Sequence, residues 1–374
     1  MFQQSSYSEK LTFFQKLRSF DYVLLLCILI LGVISNLSMY STDGGEFLYH
    51  TKSHLLRFVV FFTLMVFLSF LSLRFWHATA YLFYIIILGF LIWASLYGVT
   101  ASGSQRWINL YFINLQPSEL MKIAIIVCFA RYFHREQLTN INSLKNILLS
   151  ITILILPILL VVSQPDLGTS ILIAISGLIV LWLAGFNVRY FIYSGLALLI
   201  SLPFVISILK PYQKLRVLSF FNPDRDPLGA GYQIIQSKIA VGSGGLTGKG
   251  FLKGTQSYLE FLPEKHTDFI FTLFSEEQGF VGSVFLLVLY AILIYRILKI
   301  GSVSRSYFGK LFCYGFGSAI FVYVAVNMAM VLGLLPIVGS PLPIMSYGGS
   351  SMLATMIGLS IVMSTKIYSK QVIY

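Results

Sequence analysis

Apolar stretches of roughly 17–25 residues recur along this chain, the length that carries an α-helix across the core of a bilayer. They lie at Tyr22–Tyr40, Leu56–Leu73, Trp76–Tyr97, Pro117–Phe133, Ile147–Val162, Leu167–Phe186, Tyr190–Leu209, Phe280–Leu298, Leu311–Leu332 and Ser350–Ile367. The expected fold is therefore all-α, a polytopic membrane protein of about ten transmembrane helices. Composition agrees: 57% of the 374 residues are hydrophobic and 11% charged, against about a quarter charged in soluble domains. No short apolar segment ends in a small-residue cleavage site, so a removed signal peptide is not expected. Cys27, Cys128 and Cys313 each fall inside an apolar run, without the spacing of a metal or disulfide framework.

An even number of spans puts both termini on one side, and the short-loop Lys/Arg bias names that side as cytoplasmic. Lys10, Lys16, Arg18, Arg74, Arg131, Arg135, Lys145, Arg189, Arg296, Lys299, Arg305, Lys310, Lys366 and Lys370 would all lie there. The net charge of +12 then records topology first and attraction to anionic lipid second. Nucleic acid is not needed to explain it. Residues 1–374 read as one integral membrane domain, with residues 210–277 as a large extracytoplasmic loop, because long loops translocate largely regardless of charge. Near the N-terminus, Phe13, Phe14, Leu17 and Phe20 among basic residues suit either a helix on the inner interface or a partly disordered tail.

Ionisable groups at membrane depth are costly, and each needs a reason. In QPSELMKIA, Glu119 and Lys122 are three apart and share a helical face. They read either as a structural ion pair or as a cation facing a polar cavity to meet a substrate anion. In SQPDLGTS, Asp166 sits where it would cap a helix. In GSQRWIN, Arg106 beside Trp107 fits phosphate recognition or interfacial anchoring. Within the long loop, Tyr232, Ile235 and Ile239 share one face of a short helix suited to resting on the membrane. Gly242, Gly244, Gly245, Gly248, Gly250 and Gly254 follow, interleaved with Lys249 and Lys253. Such a loop is either merely flexible or an anion-binding nest.

The densest group of charges is PEKHTDFIFTLFSEEQG, with Glu264, Lys265, His266, Asp268, Glu276 and Glu277 at the mouth of an apolar run. Thr267 or Asp268 would cap the helix that follows. On one continuous helix Glu276 lies about 80° round from Asp268 and roughly 12 Å along, so these acids do not form one cluster. An ionised, poorly hydrated Asp268 is a usable general base.

These segments carry a resemblance. GSQRWINL, QPSELMKIA, QPDLGTSI, NPDRDPLGAGYQIIQSKIAVGSGGLTGKG, GTQSYLEFLPEKHTDFIFTLFSEEQGFVG and PLPIMSYGGSS occur in the order found in the SEDS family of shape, elongation, division and sporulation proteins. The match runs from the first span to the last and resembles the RodA-like elongation branch more than the FtsW-like division branch. Membership implies ten transmembrane helices in the bacterial inner membrane and a peptidoglycan glycosyltransferase that polymerises lipid II beside a class B penicillin-binding protein. It places the family's essential acid on Asp268, with cavity-lining residues on Glu119, Lys122 and Asp166.

Lipid II is a glycosyl diphosphate whose leaving group is already a good anion. One base therefore suffices, where hydrolases typically need a carboxylate pair. Lys122, Arg106, Arg216, Lys249 and Lys253 are the candidate cations for the departing diphosphate. His266 and Glu276 are further candidates for binding or support. A divalent cation such as Mg2+ or Mn2+ would share the task, although no dedicated metal cage is visible. Two rival readings also account for ten spans with embedded charges: a lipid II flippase or other transporter, and a non-catalytic scaffold for the penicillin-binding protein.

Overall fold

The computed structural model describes residues 12–101, 104–109, 114–135, 141–208, 210–223, 229–255 and 264–373. Parts of the NPDRDPLGAG and GTQSYLEFLP motifs lie outside these residues. A short helix α1 (Phe13–Arg18) leads into α2 (Tyr22–Thr42), α3 (Tyr49–Ser69) and α4 (Leu73–Tyr97). An antiparallel sheet in the order β1-β2-β3 follows, made of β1 (Val99–Ala101), β2 (Ser104–Asn109) and β3 (Asn114–Leu115). Then come α5 (Pro117–Arg135), α6 (Leu144–Ser163), α7 (Leu167–Ala184), α8 (Val188–Ile208), α9 (Pro211–Phe221) and α10 (Ala230–Ser243). The chain ends with α11 (Ile270–Val303), α12 (Tyr307–Val331) and α13 (Gly349–Ile367).

A helix occupies every expected span. Eight of the helices are long and apolar enough to cross a membrane: α2, α3, α4, α6, α7, α11, α12 and α13. The other two depart for opposite reasons. α5 carries Glu119, Lys122 and Arg131, yet every residue from 115 to 130 is buried, because the helix is the hub against which α4, α7, α12 and α13 pack. Its charges meet protein rather than lipid. α8 is apolar, but its apolar stretch is only Val188–Ser201 among the described residues, and no described α8 side chain is buried.

The described ends of the chain lie at one pole. The Lys16 ammonium lies 5.5 Å from the centre of the Tyr368 ring. The Arg305 amide, between α11 and α12, donates to the Ser369 carbonyl. His134 at the end of α5 contacts the Ile373 carbonyl at the same pole.

α11 is two helices joined at Gly279, whose φ of 65° and ψ of −162° are not helical. A buried segment, Ile270–Glu277, precedes the break, and the second helix begins at Phe280, the residue at which the sequence starts its expected span. A break orphans the last carbonyls of one helix and the first amides of the next. The glycine loop supplies both partners. Lys249 and Gly250 amides donate to the Glu276 and Glu277 carbonyls, and Phe280 and Val281 amides donate to the Gly245 and Leu246 carbonyls. Only glycine fits at 248: its φ is +80°, and a Cβ would lie 2.0 Å from the Glu277 carbonyl oxygen. The loop is thus a splice into the helix, and these amides are spent inside the protein.

α10 exists as expected, and its buried face lies beside the one expected to rest on the membrane. Ile234, Ser237 and Ala240 are buried against α11 and α12, while Ile239 is exposed. Ser237 settles the face, because its hydroxyl bonds the Val331 carbonyl and meets Thr272.

Candidate active site at the outer mouth

Asp268 lies in the turn Glu264–Phe269, just before α11. The expectation that Thr267 or Asp268 caps this helix is wrong. Phe269 is the N-cap residue, no side chain caps it, and the Thr267 hydroxyl bonds the Glu264 carboxylate at 2.9 Å. The Asp268 carboxylate is left half-buried, with no hydrogen bond among the described residues. Burial pushes its pKa up to about 7, with Glu264 and Asp166 adding to the rise and Arg106 and Arg216 opposing it. A carboxylate titrating there is poised between acid and base at neutral pH.

Four elements meet around it. Asp166 caps α7 as the sequence suggests, accepting from the Thr169 amide at 3.2 Å and the Thr169 hydroxyl at 2.8 Å. The same carboxylate accepts from Arg106 at 2.8 Å and Gln116 Nε2 at 3.2 Å. Oδ2 takes three of these four bonds, which makes Asp166 a holder of Arg106. The Arg106 guanidinium also lies 5.9 Å from the Trp107 ring centre. Arg216 is exposed on α9, and its Nη1 donates to the Ile337 carbonyl at 3.5 Å. The loop between α12 and α13 closes the fourth side. It presses on α7 so closely that a Cβ on Gly168 would lie 1.7 Å from the Val338 carbonyl oxygen, and at Gly339 a Cβ would lie 3.4 Å from Asp268 Oδ2.

The remaining predicted residues lie in other groups. Lys122 Nζ donates to Glu119 at 2.7 Å and stands 4.2 Å from the Tyr323 ring centre. Their cavity, shared with Pro341, Pro343 and Thr355, holds about 20 Å³, space for about one water. Lys249 Nζ pairs with Glu276 at 2.6 Å, and the Thr255 amide and hydroxyl bond the same oxygen at 2.9 Å. That carboxylate neutralises Lys249 and fastens the glycine loop. Lys253 is exposed in the same loop. His266 stacks on His50 with ring centres 4.1 Å apart, and its Nδ1 meets the Thr42 hydroxyl. Burial, then the neighbouring His50 and Lys265, pull its pKa down to about 4 against the opposing pull of Asp43, so it is neutral at pH 7.

Two places bear on a cation. Asp43, His50 and His266 bring ligand atoms within 4.8 Å of one another. The two rings are nearly parallel, at 15°, so their in-plane lone pairs run side by side instead of converging. Mg2+ and Mn2+ prefer oxygen donors. At the mouth, Asp166 already holds Arg106 and Gln116, which leaves Asp268 and Glu264 as the less engaged carboxylates. That donor set fits a cation held mainly by a substrate's own diphosphate oxygens.

The comparisons with known proteins agree along the whole chain. The family model described as a cell cycle protein, FtsW/RodA/SpoVE, matches residues 17–371. The chain belongs to this family. It is 43% identical over 365 residues to the peptidoglycan glycosyltransferase MrdB of Escherichia coli K12, covering 96% of this chain and 97% of that one. It is 35% identical to the stage V sporulation protein E of Bacillus subtilis, over 73% of this chain and 74% of the relative. Among solved structures, a chain from a work titled "Structural coordination of polymerization and crosslinking by a peptidoglycan synthase complex" superposes with a TM-score of 0.81 at 30% identity, covering 94% of this chain and 99% of that one. The rod shape determining protein RodA of Thermus thermophilus shares the fold at 24% identity, with a TM-score of 0.72 over 94% of this chain and 98% of that one.

Sequence reasoning passed over Gln116, Asn327 and Ser346, all buried in or behind the mouth. Asn327 had a visible signal, an amide in the middle of an apolar span.

Proposed function

We propose that this membrane protein is a peptidoglycan glycosyltransferase that polymerises lipid II at the outer face of the bacterial inner membrane, with Asp268 as general base. What carries this reading is the Asp268 carboxylate, uncapped and poised near neutrality between two arginines. The ionised Asp268 takes the proton of the acceptor's GlcNAc 4-hydroxyl as that oxygen attacks the anomeric carbon of the donor. The new C–O bond forms as the bond to the diphosphate breaks, so an α-linked donor yields a β-1,4 linkage with inversion. The electron pair leaves with the polyprenyl diphosphate. Arg106, held by Asp166, and Arg216 stand where they would meet that developing charge. Glu264 would help to hold a divalent cation, which would supply further neutralisation of the diphosphate. Lys122 and Lys249 are already paired with Glu119 and Glu276, and they support the fold in this reading. The partner is a class B penicillin-binding protein, a reading supported by the kinship with a chain of a polymerising and cross-linking complex.

The test is purified protein given lipid II in detergent, where no sidedness exists. A polymerase makes glycan there, whereas a flippase or a scaffold makes none. Folded Asp268→Asn is expected to lose ~10²–10⁴-fold in rate, the usual cost of removing a base. Near-normal chains from that variant would move the base elsewhere.

A further inference from the structure

Asp268 is held by its backbone. Three consecutive carbonyls in its turn are each taken by a donor from outside the turn. The Tyr347 amide donates to the His266 carbonyl at 2.8 Å. The Ser346 hydroxyl donates to the Thr267 carbonyl at 2.6 Å. Asn327 Nδ2 donates to the Asp268 carbonyl at 2.9 Å. In a helix begun earlier, these oxygens would accept from amides four residues on. Held sideways, they keep Asp268 out of α11, which is why the acid does not become a cap.

Both side-chain donors are themselves fixed. Asn327 sits on α12 with no exposed surface, and its Nδ2 also donates to the Ser340 carbonyl at 2.6 Å. Both Nδ2 hydrogens are therefore used. One holds the acid, and the other holds the loop whose Gly339 faces the acid's Oδ2. Ser346, also buried, accepts from the Leu342 amide at 2.7 Å, so its hydroxyl proton is directed at Thr267. One asparagine thus sets the spacing between the carboxylate and the wall opposite it.

We propose that Asn327 and Ser346 are positioning residues for the reaction, clamping the Thr267–Asp268 backbone so that the carboxylate is aimed into the mouth. This inference rests on the reading of Asp268 as base. Misplacing a catalytic group by about 1 Å costs up to ~10²-fold in rate. A residue that acts only in this way lowers kcat and leaves substrate affinity alone.

The experiment is lipid II polymerisation by the full-length chain in detergent, comparing Ser346→Ala, Ser346→Thr, Asn327→Leu and Asp268→Asn. Ser346→Ala removes one oxygen and leaves a fold that can be assayed even where Asn327→Leu does not. The expected result is a fall of tenfold or more in kcat for Ser346→Ala and for folded Asn327→Leu. KM should stay within twofold, the midpoint of the pH–rate profile should move, and Ser346→Thr should restore both. Wild-type kcat and pH midpoint in Ser346→Ala, with Asp268→Asn inactive, would overturn the clamp and leave the base standing. A rate loss with an unmoved pH midpoint and no rescue by threonine would also overturn it. Near-normal polymerisation by Asp268→Asn would remove the base reading, and the clamp with it.

Discussion

At Asp268 the folded protein holds a carboxyl whose pKa is raised from the ordinary 3.8 to about 7. Between those values the folded state binds more protons than the unfolded chain, so stability falls as pH rises through that window. The loss accrues between about pH 4 and pH 7, while the unfolded chain is ionised and the folded carboxyl is not, and it is complete once both have ionised. That is the opposite of a salt-bridged aspartate. Asp268→Asn mimics the protonated form at every pH and sacrifices no cap. Its melting temperature should match the wild type near pH 4, exceed it increasingly towards pH 7, and hold a constant advantage by pH 8. Thermal unfolding in detergent across this range reads the difference directly. A variant less stable than wild type at pH 8 would show that the carboxylate has a structural partner after all. Activity should run the other way, rising with pH as the base ionises.

The elements show where sequence reasoning succeeds and where it stops. Helix existence was legible because a bilayer demands one length and one composition, and the expected start at Phe280 coincides with the break at Gly279. The three-strand sheet was not foreseen. Its strands have as few as two residues, too short for an alternating pattern to register. The glycine loop was visible as composition, but its role depends on carbonyls of α11 far along the chain, and spacing cannot show a long-range partner. The Asp166 cap was legible because capping is local, whereas the Asp268 clamp comes from α12 and the loop after it. The splice makes a sharp prediction. Gly248→Ala forces a Cβ to within 2.0 Å of the Glu277 carbonyl at a φ of +80°, and strained positions of this kind cost about 1–3 kcal/mol. Gly242→Ala on exposed α10 meets nothing within 4 Å and should be neutral or stabilise by about 0.4–1 kcal/mol. Equal melting temperatures for the two variants would show that the loop is not a rigid splice.

On the scale of the whole molecule, polar chemistry is sorted between two poles. Asp268, Asp166, Arg106 and Arg216 converge at one. Lys16, Arg305 and the C-terminal tail meet at the other. The bundle between them is organised around α5, whose one buried cation–carboxylate pair is closed off from lipid on every side. With the termini at one pole, a single labelling experiment fixes the orientation of everything else. On the proposed function, the short-loop Lys/Arg bias would put that pole in the cytoplasm, and the Asp268 mouth would open outward. Ser243, at the end of α10, and Ser302, at the end of α11, are both exposed. Cysteines placed there, in a chain whose buried Cys27, Cys128 and Cys313 have been replaced, should report opposite sides. An impermeant thiol reagent should label Ser243→Cys in intact spheroplasts and Ser302→Cys only after permeabilisation. The reverse pattern would turn the active mouth towards the cytoplasm. Synthesis of wall on the outer face would then be incompatible with Asp268 as its base, however well the detergent assay ran.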